Sequence, residues 1–236
     1  MNILEIKDIC HKFDEKPILE DINFCVKKGE IVGIIGPSGV GKTTLFNIIA
    51  GLIYPTKGEV YLEDEKITGK TAKVSYMLQK DLLLPFMTIY DNIALPLKIQ
   101  KVDKNIIRKK IEENIPKFGL DGLLERYPKE LSGGQRQRAA LLRTYMFSDK
   151  IVLLDEPFSA LDYITKTKMY DWFLNLKNKL NLTCLLITHD INEAILLADT
   201  VYVLLGQPGK FVAKFKINKT EEEMSRIKKE IFKVIK

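Results

Sequence analysis

One eight-residue stretch constrains the fold of this chain more than any other feature of its sequence. It consists of Gly36, Pro37, Ser38, Gly39, Val40, Gly41, Lys42 and Thr43. This spacing is that of a phosphate-binding loop, in which glycines let the backbone wrap closely around phosphate oxygens. We expect Lys42 to reach the β- and γ-phosphates of a nucleotide and the hydroxyl of Thr43 to bind Mg²⁺.

The flanks of this loop have the patterns that a phosphate-binding loop requires. Residues 31–35 are apolar and rich in β-branched side chains, which predicts a buried strand. Residues 44–50 place Leu45, Ile48 and Ile49 on one face of a predicted helix. Strand, loop and helix in this order direct free backbone N–H groups towards an anion. The sequence therefore predicts an anion site on an α/β core.

The composition excludes several other classes of protein. Of the 236 residues, 46% are hydrophobic and 29% are charged, as in soluble globular proteins. No apolar run reaches the roughly 18 residues of a membrane span, and the N-terminus lacks the pattern of a signal peptide. The three cysteines are scattered, so we expect a reducing compartment, the cytoplasm. The net charge of +6 comes from lysines spread along the chain, so we expect no binding of nucleic acid.

Two adjacent acidic residues, Asp155 and Glu156, follow the apolar run 151–154. In enzymes with a phosphate-binding loop, a buried strand that ends in Asp supplies a partner for Mg²⁺. We therefore expect Asp155 to hold Mg²⁺ through water and Glu156 to polarise the attacking water as general base. Adjacent side chains of a strand point to opposite faces, so both carboxylates can approach one site only if the chain turns there, helped by Pro157.

Several other positions have both a functional and a structural interpretation. Phe13 lies between two predicted strands, where it could stack on a flat base or simply pack. Gln79 follows a predicted strand and could reach a metal or a water, and His189 follows another and could sense a γ-phosphate. A helical pattern is preceded by Ser132, Gly133, Gly134 and Gln135. These four residues form either a second anion-binding helix start or an ordinary serine N-cap.

Two further parts of the chain have distinct patterns. Alternating apolar and polar residues predict strands over 3–9 and 18–26. Residues 80–147 predict a helical insertion in the α/β core, with a helix over 103–118. The start of this insertion, residues 81–97, is apolar and interrupted by prolines. We expect it to be loop-like and to act either as a hinge between subdomains or as a docking surface for a partner.

Taken in chain order, these motifs resemble the ATP-binding cassette family over essentially the whole chain. They are the phosphate-binding loop, Gln79, Leu-Ser-Gly-Gly-Gln at 131–135, the acidic strand end, Ser-Ala-Leu-Asp at 159–162 and His189. The resemblance implies an α/β fold with a P-loop NTPase (RecA-like) core, an antiparallel β subdomain and a helical subdomain that carries the signature. It implies a single cassette domain over 1–236, with the helical subdomain at about 80–147.

The resemblance also implies a role for each motif. Phe13 would stack on the adenine of ATP, and the phosphates would be bound by Ser38, Gly39, Val40, Gly41, Lys42, Thr43 and Thr44. Mg²⁺ would be bound by Thr43, Gln79 and Asp155. Hydrolysis would depend on Lys42, Gln79, Glu156 and His189, with Glu156 as the base. The signature residues Ser132, Gly133, Gly134 and Gln135 would cover the ATP of a second subunit in a head-to-tail dimer.

Parts of the chain resemble one branch of the family. Residues 84–93 are similar to the segment that docks a membrane subunit, and residues 155–162, 188–194 and 206–210 are similar to importers of nitrate, sulfonates, taurine and thiamine-precursor pyrimidines. The resemblance implies an ATPase on the cytoplasmic face of the cell membrane, bound to integral permease subunits and served by an extracytoplasmic solute-binding protein. The alternatives are an exporter or lipoprotein-release ATPase, and a cassette ATPase that acts on ribosomes or DNA.

Overall fold

The computed structural model describes residues 1–235, which form ten strands and seven α-helices. The strands are β1 (Asn2–Phe13), β2 (Lys16–Lys27), β3 (Ile31–Ile35), β4 (Lys57–Leu62), β5 (Glu65–Lys66), β6 (Ser75–Met77), β7 (Val152–Asp155), β8 (Cys184–Thr188), β9 (Thr200–Leu205) and β10 (Lys210–Lys216). The helices are α1 (Lys42–Ile49), α2 (Ile89–Ile99), α3 (Lys104–Phe118), α4 (Gly133–Phe147), α5 (Tyr163–Leu180), α6 (Ile191–Leu197) and α7 (Glu221–Ile235).

The larger sheet determines where the functional side chains lie. Its strand order is β10-β9-β3-β8-β7-β6, and each neighbouring pair is parallel except β10 with β9. All residues of β3, β7 and β8 are buried, as expected for strands covered on both faces. In the parallel register Ile35 lies beside Thr188, and Ile187 lies beside Asp155. The segments that follow β3, β7 and β8 therefore start at one edge of the sheet.

The smaller sheet is antiparallel, with the strand order β2-β1-β4-β5. β1 and β2 form a hairpin whose turn follows Phe13. Both strands are longer than the predicted ranges 3–9 and 18–26. The register shifts within the pair, and Asp8 and Asp21 have positive φ angles of 51° and 52°. Such bulges interrupt the alternation of apolar and polar residues on which the prediction rested.

The insertion at 80–147 contains α2, α3 and α4, but the prediction of a loop-like start was wrong for its second half. α2 begins after Thr88, whose hydroxyl accepts a hydrogen bond from the N–H of Asp91 at 3.1 Å, and it continues through Pro96. The buried apolar residues of this helix are Ile89, Ile93, Ala94 and Leu97. Their helical spacing and burial offset the backbone hydrogen bond that a proline cannot donate.

The helical insertion and the larger sheet share one hydrophobic core. Buried residues of α2, α3 and α4 form a single cluster with buried residues of β3, β7, β8 and α5. A second cluster lies on the opposite face of the sheet, between it, α1 and the antiparallel sheet. The insertion is therefore packed directly against the strands that carry the predicted site. Among the helices of residues 1–235, none is long and apolar enough to cross a membrane.

Candidate functional site

The loop between β3 and α1 has the shape that its sequence requires. Gly39 and Gly41 have φ angles of 80° and 108°, in the region that favours glycine. At Gly36 a Cβ atom would lie 2.2 Å from the carbonyl oxygen of Leu204, so only glycine fits there. Gly41 precedes α1 and has no side chain with which to cap it. The first N–H groups of the helix are therefore left for an anion.

Lys42 is the first residue of α1, and its side chain extends back to the start of the loop. Its side chain is buried, and Nζ donates hydrogen bonds to the carbonyl oxygens of Gly36 at 2.7 Å and Pro37 at 2.8 Å. Burial lowers the pKa of Lys42, while the nearby carboxylates of Glu156 and Asp155 act in the opposite direction. The ammonium group is thus a hydrogen-bond donor held where the loop would surround a phosphate.

A cluster of oxygen atoms lies beside the loop at the end of β7. Oδ2 of Asp155 accepts hydrogen bonds from the hydroxyl of Thr43 at 3.4 Å and from the hydroxyl of Tyr76 at 3.3 Å. Burial raises the pKa of Asp155, and the hydrogen bond from Tyr76 counteracts this in part. Tyr76 was missed by the sequence analysis, because nothing except its place in a strand marks it.

The oxygen atoms beside the loop are suitable ligands for Mg²⁺. The hydroxyl of Thr43 and the carboxylate of Asp155, which contact each other, are hard oxygen ligands of the kind that Mg²⁺ prefers. The side chain of Gln79 contacts Glu156 and not these two residues. Within residues 1–235, no group of three or more His, Cys, Asp and Glu side chains is arranged to hold a metal ion. Mg²⁺ at this site would need further ligands from water and phosphate, which is its usual coordination in nucleotide sites.

Glu156 lies in the turn that two neighbouring carboxylates require. Its φ angle is 46°, a left-handed conformation that costs roughly 1–3 kcal/mol for a residue other than glycine. Oε2 of Glu156 accepts a hydrogen bond from Nε2 of Gln79 at 3.2 Å and lies 3.0 Å from Nδ1 of His189. The carbonyl oxygen of Glu156 accepts hydrogen bonds from the N–H and the hydroxyl of Ser159, which stabilise the turn. The structure thus brings together three predicted site residues that follow different strands.

The loop and the two acids line one cavity of about 310 Å³. Its lining consists of Phe13, Ile18, Ser38, Gly39, Gly41, Lys42, Thr43, Thr44, Asp155 and Glu156. Phe13 is 47% exposed, and its ring meets the ring of His11 edge-on with 4.6 Å between centroids. This exposure favours a stacking role for Phe13 over a packing role. Ile18 was missed, because a single apolar residue in a strand gives no signal of function.

The predicted signature motif lies outside this cavity, at the start of α4. Oγ of Ser132 accepts a hydrogen bond from the N–H of Gln135 at 3.3 Å, and Oε1 of Gln135 accepts one from the N–H of Ser132 at 2.9 Å. This reciprocal pair is a capping box. A Cβ atom at Gly133 would lie 3.1 Å from Leu161, so the helix start packs closely against the segment before α5. The chain therefore has a second helix start outside the cavity, and unlike the start of α1 it is capped by side chains of its own.

The helix that follows His189 contains a buried carboxyl group. Asp190 caps α6 by accepting hydrogen bonds from the N–H groups of Asn192 at 2.8 Å and Glu193 at 3.3 Å. Glu193 is 2% exposed, and its Oε2 accepts a hydrogen bond from the hydroxyl of Tyr170 at 3.0 Å. Burial raises the pKa of Glu193 to about 7 despite that hydrogen bond. Glu193 therefore titrates near neutral pH beside the segment that carries His189.

These features define a class of protein. A phosphate-binding loop follows β3, a carboxylate suited to Mg²⁺ ends β7, and a second carboxylate lies next to it at the same edge of the sheet. A loop of this kind can bind phosphates, a carboxylate at the first position can support a metal, and one at the second can accept a proton from water. This combination is that of a P-loop nucleoside triphosphatase.

Comparison with known proteins identifies the family. The family model described as ABC transporter matches residues 19–159. The formylaminopyrimidine import ATP-binding protein of Halalkalibacterium halodurans is 40% identical over 226 residues, which cover 91% of this chain and 88% of that protein. The aliphatic sulfonates import ATP-binding protein of Bacillus cereus is 38% identical over 220 residues, which cover 91% of this chain and 86% of that protein.

A solved structure agrees with this result. It is the dimeric structure of a post-hydrolysis state of an ATP-binding cassette bound to ADP and phosphate. It is 30% identical to this chain, with a TM-score of 0.75 over 92% of this chain and 100% of that one. This chain belongs to the ABC transporter family, and the family and fold class predicted from the sequence are confirmed.

We predict that Glu193→Gln changes how stability depends on pH. Burial raises the pKa of Glu193 from its ordinary value of 4.5 to about 7, so the folded chain retains a proton that the unfolded chain loses in this range. The free energy of unfolding should therefore fall as pH rises from about 4.5 to about 7, by up to about 3 kcal/mol. The neutral glutamine should abolish this fall, whereas Glu222→Gln, at an exposed position, should retain it. Urea unfolding at several pH values measures the difference, and equal slopes for Glu193→Gln and the unmodified chain would contradict the prediction.

Proposed function

We propose that this chain is the ATP-hydrolysing subunit of an ABC importer. The observation that carries the ATPase part of the proposal is the position of Glu156 between Gln79 and His189, at the wall of the cavity that holds Lys42. Membership of the ABC transporter family makes the chain a cassette ATPase, and the two relatives described above are both import ATP-binding proteins. An exporter is not favoured, because both of these relatives are importers.

The cavity supports a specific mode of ATP binding. The exposed ring of Phe13 stacks on the adenine, and Lys42 neutralises the β- and γ-phosphates. The remaining phosphate contacts come from N–H groups of the loop and the start of α1, in residues 36–44. The residues that would hold Mg²⁺ are Thr43, Gln79 and Asp155. When bound, Mg²⁺ neutralises charge on the phosphates.

Hydrolysis depends on the group that accepts a proton from the attacking water. Glu156 is suited to this role, because its carboxylate is next to the phosphate-binding loop and is held by two neighbouring side chains. Gln79 donates a hydrogen bond to Oε2 of Glu156, and Nδ1 of His189 lies 3.0 Å from the same atom. Oε1 of Glu156 is therefore left to accept the proton. We propose that His189, which follows β8 at the same edge of the sheet, contacts the γ-phosphate when ATP is bound.

We predict that Glu156→Gln lowers kcat for ATP hydrolysis about 100-fold or more, because an amide cannot accept the proton. The binding of ATP should survive, since glutamine keeps the size of the side chain and the loop is unchanged. Phosphate release measures the first quantity, and titration with a fluorescent ATP analogue measures the second. Turnover close to that of the unmodified chain would disprove the role of Glu156.

We further propose that ATP is shared between two copies of the chain. One helix start lies in the cavity with Lys42, and the other, capped by Ser132, lies outside it. A head-to-tail dimer would place the second helix start of one subunit over the phosphates in the cavity of the other. Each ATP would then join the two subunits, and its hydrolysis would release them.

We predict that Ser132→Arg blocks hydrolysis while the isolated monomer binds ATP with unchanged affinity. The large cation would occupy the position that the γ-phosphate of the partner needs, but Ser132 does not line the cavity of its own subunit. Ser225→Arg, on the exposed surface of α7, is the matched control and should leave hydrolysis unchanged. A loss of ATP affinity in the dilute monomer of Ser132→Arg would show that the site is not shared.

An apolar groove is the proposed contact with the membrane subunit. It has a volume of about 480 Å³ and is lined by Ala50, Leu52, Ala72, Val74, Tyr76, Leu82, Leu84, Leu95, Pro96, Ile99, Arg143, Thr144 and Phe147. Leu52 and Ile99 are 61% and 71% exposed, and exposed apolar surface of this kind marks interaction sites. Leu84 belongs to the segment 84–93 that the sequence analysis assigned to docking. We propose that a segment of an integral permease subunit occupies this groove.

The cellular setting follows from that contact. A permease partner would hold the chain on the cytoplasmic face of the cell membrane, and an extracytoplasmic protein would deliver the solute. The solute would be small, of the kind named for the two relatives, an aliphatic sulfonate or a formylaminopyrimidine.

The shared core supports the proposal that residues 1–236 act as one domain, with the helical subdomain at about 80–147 moving as part of it.

We predict that the tagged chain, purified from detergent-solubilised membranes of its native host, brings with it a permease with several membrane spans. Leu52→Glu should lose this permease, because the carboxylate would be desolvated in the groove. Val212→Glu, at an exposed apolar position of β10 outside the groove, should retain it. Mass spectrometry identifies the partner. Recovery of ribosomal or DNA-repair proteins without a membrane partner would overturn the transport function and leave the ATPase chemistry intact.

A further inference from the structure

The segment between Gln79 and α2 contains a strained residue that the mechanism above does not explain. Leu82 has a φ angle of 44°, a left-handed conformation that is uncommon for a bulky residue. Its side chain is 49% exposed, so packing of that side chain alone does not hold it there. Strained residues persist only where their surroundings fix them, and they concentrate at functional sites. Leu82 follows shortly after Gln79, whose amide contacts Glu156.

Arg143 of α4 fixes the strained residue through its backbone. Nη1 of Arg143 donates a hydrogen bond to the carbonyl oxygen of Leu82 at 2.7 Å, and Nη2 donates one to the carbonyl oxygen of Asp81 at 2.6 Å. The rigid fork of a guanidinium group suits two neighbouring acceptors, whereas a lysine presents a single point charge. Burial lowers the pKa of Arg143, and the nearby charge of Asp81 acts in the opposite direction.

Two other side chains hold the same segment at its flanks. Nε of Arg136 lies 3.3 Å from Oδ2 of Asp81. The side chain of Asn92 accepts a hydrogen bond from the N–H of Leu84 at 2.7 Å and donates one to its carbonyl oxygen at 3.1 Å. Neither contact involves the carbonyl oxygen of Leu82. The N–H of Leu83 also donates a hydrogen bond to Oδ1 of Asp81 at 3.2 Å, which closes a turn around Leu82. From α4, the carbonyl oxygen of Leu82 is held by the guanidinium group of Arg143.

We propose that Arg143 is a positioning residue for ATP hydrolysis. It holds Asp81 and Leu82 in the conformation in which Gln79 contacts Glu156. This inference rests on the proposed function, in which Glu156 is the base. Arg143 also lines the apolar groove described above. A partner segment in the groove would therefore meet the same guanidinium group that holds the backbone of Asp81 and Leu82, shortly after Gln79.

The first test is the kinetics of ATP hydrolysis by the full chain. Arg143→Ala should lower kcat at least tenfold and change KM for ATP less than threefold, because Arg143 does not line the nucleotide cavity. Arg143→Lys should give an intermediate kcat, since it keeps the charge but loses the fork. The matched control is Arg108→Ala, which removes an exposed ion pair with Glu112 on α3 and should leave both constants unchanged.

The second test separates strain from charge. Glycine adopts the left-handed conformation without penalty, so Leu82→Gly added to Arg143→Ala should restore kcat at least threefold. Hydrogen–deuterium exchange of the amides at 80–84 gives a readout that does not depend on activity. Exchange there should speed up at least tenfold in Arg143→Ala, and the unfolding midpoint in urea shows whether the variant is folded. If Arg143→Ala unfolds, Arg143→Lys replaces it in both measurements.

The outcomes distinguish this inference from the proposed function. If the unmodified chain hydrolyses ATP and Arg143→Ala does so equally well, the role of Arg143 is disproved and the proposed function stands. Unchanged exchange at 80–84, or a rise in KM with an unchanged kcat, overturns it as well. If the unmodified chain hydrolyses no ATP, both fall together, because there is no reaction for Arg143 to support.

Discussion

The parallel register of β3, β8 and β7 is the constraint on which the rest of the structure depends. These buried strands end at one edge of the sheet, because Ile35 lies beside Thr188 and Ile187 lies beside Asp155. The phosphate-binding loop, the acidic pair and His189 are far apart in the chain, yet each follows one of these strands. The hydrogen bonds between the strands, and not contacts among the functional side chains, therefore bring the parts of the site to one edge of the sheet.

Helix α4 joins the two strained parts of the site. Gln137 of α4 donates a hydrogen bond to the carbonyl oxygen of Pro157, directly after the left-handed Glu156. Arg143, further along the same helix, holds the left-handed Leu82 on the other side of the contact between Gln79 and Glu156. The helix that begins with the signature motif is thus bonded to the segments that carry Glu156, the proposed base, and Gln79, its hydrogen-bond donor. A rotation of α4 would alter both at once.

The sequence predicted those features that depend only on residues close together in the chain. The spacing of glycines with Lys42 and the continuous apolar runs identified the loop and the buried strands, because each needs only its own residues to be recognised. α2 was missed because Pro96 is unfavourable within a helix, and only packing against the other helices outweighs this. Tyr76 and Arg143 were missed for a related reason. Their roles depend on Asp155 and Leu82, which are distant in sequence, and no local pattern records such a contact.

The hydrogen bonds from Lys42 to the carbonyl oxygens of Gly36 and Pro37 have a consequence for ligand selection. A buried ammonium group must keep its hydrogen-bond partners, so a ligand can draw Lys42 away from the loop only by offering acceptors of its own. A nucleoside without phosphates offers none at this position and leaves the lysine with the loop. In the proposed mode of binding, Lys42 and the loop would therefore select ligands by their phosphate chain, independently of the base that would stack on Phe13.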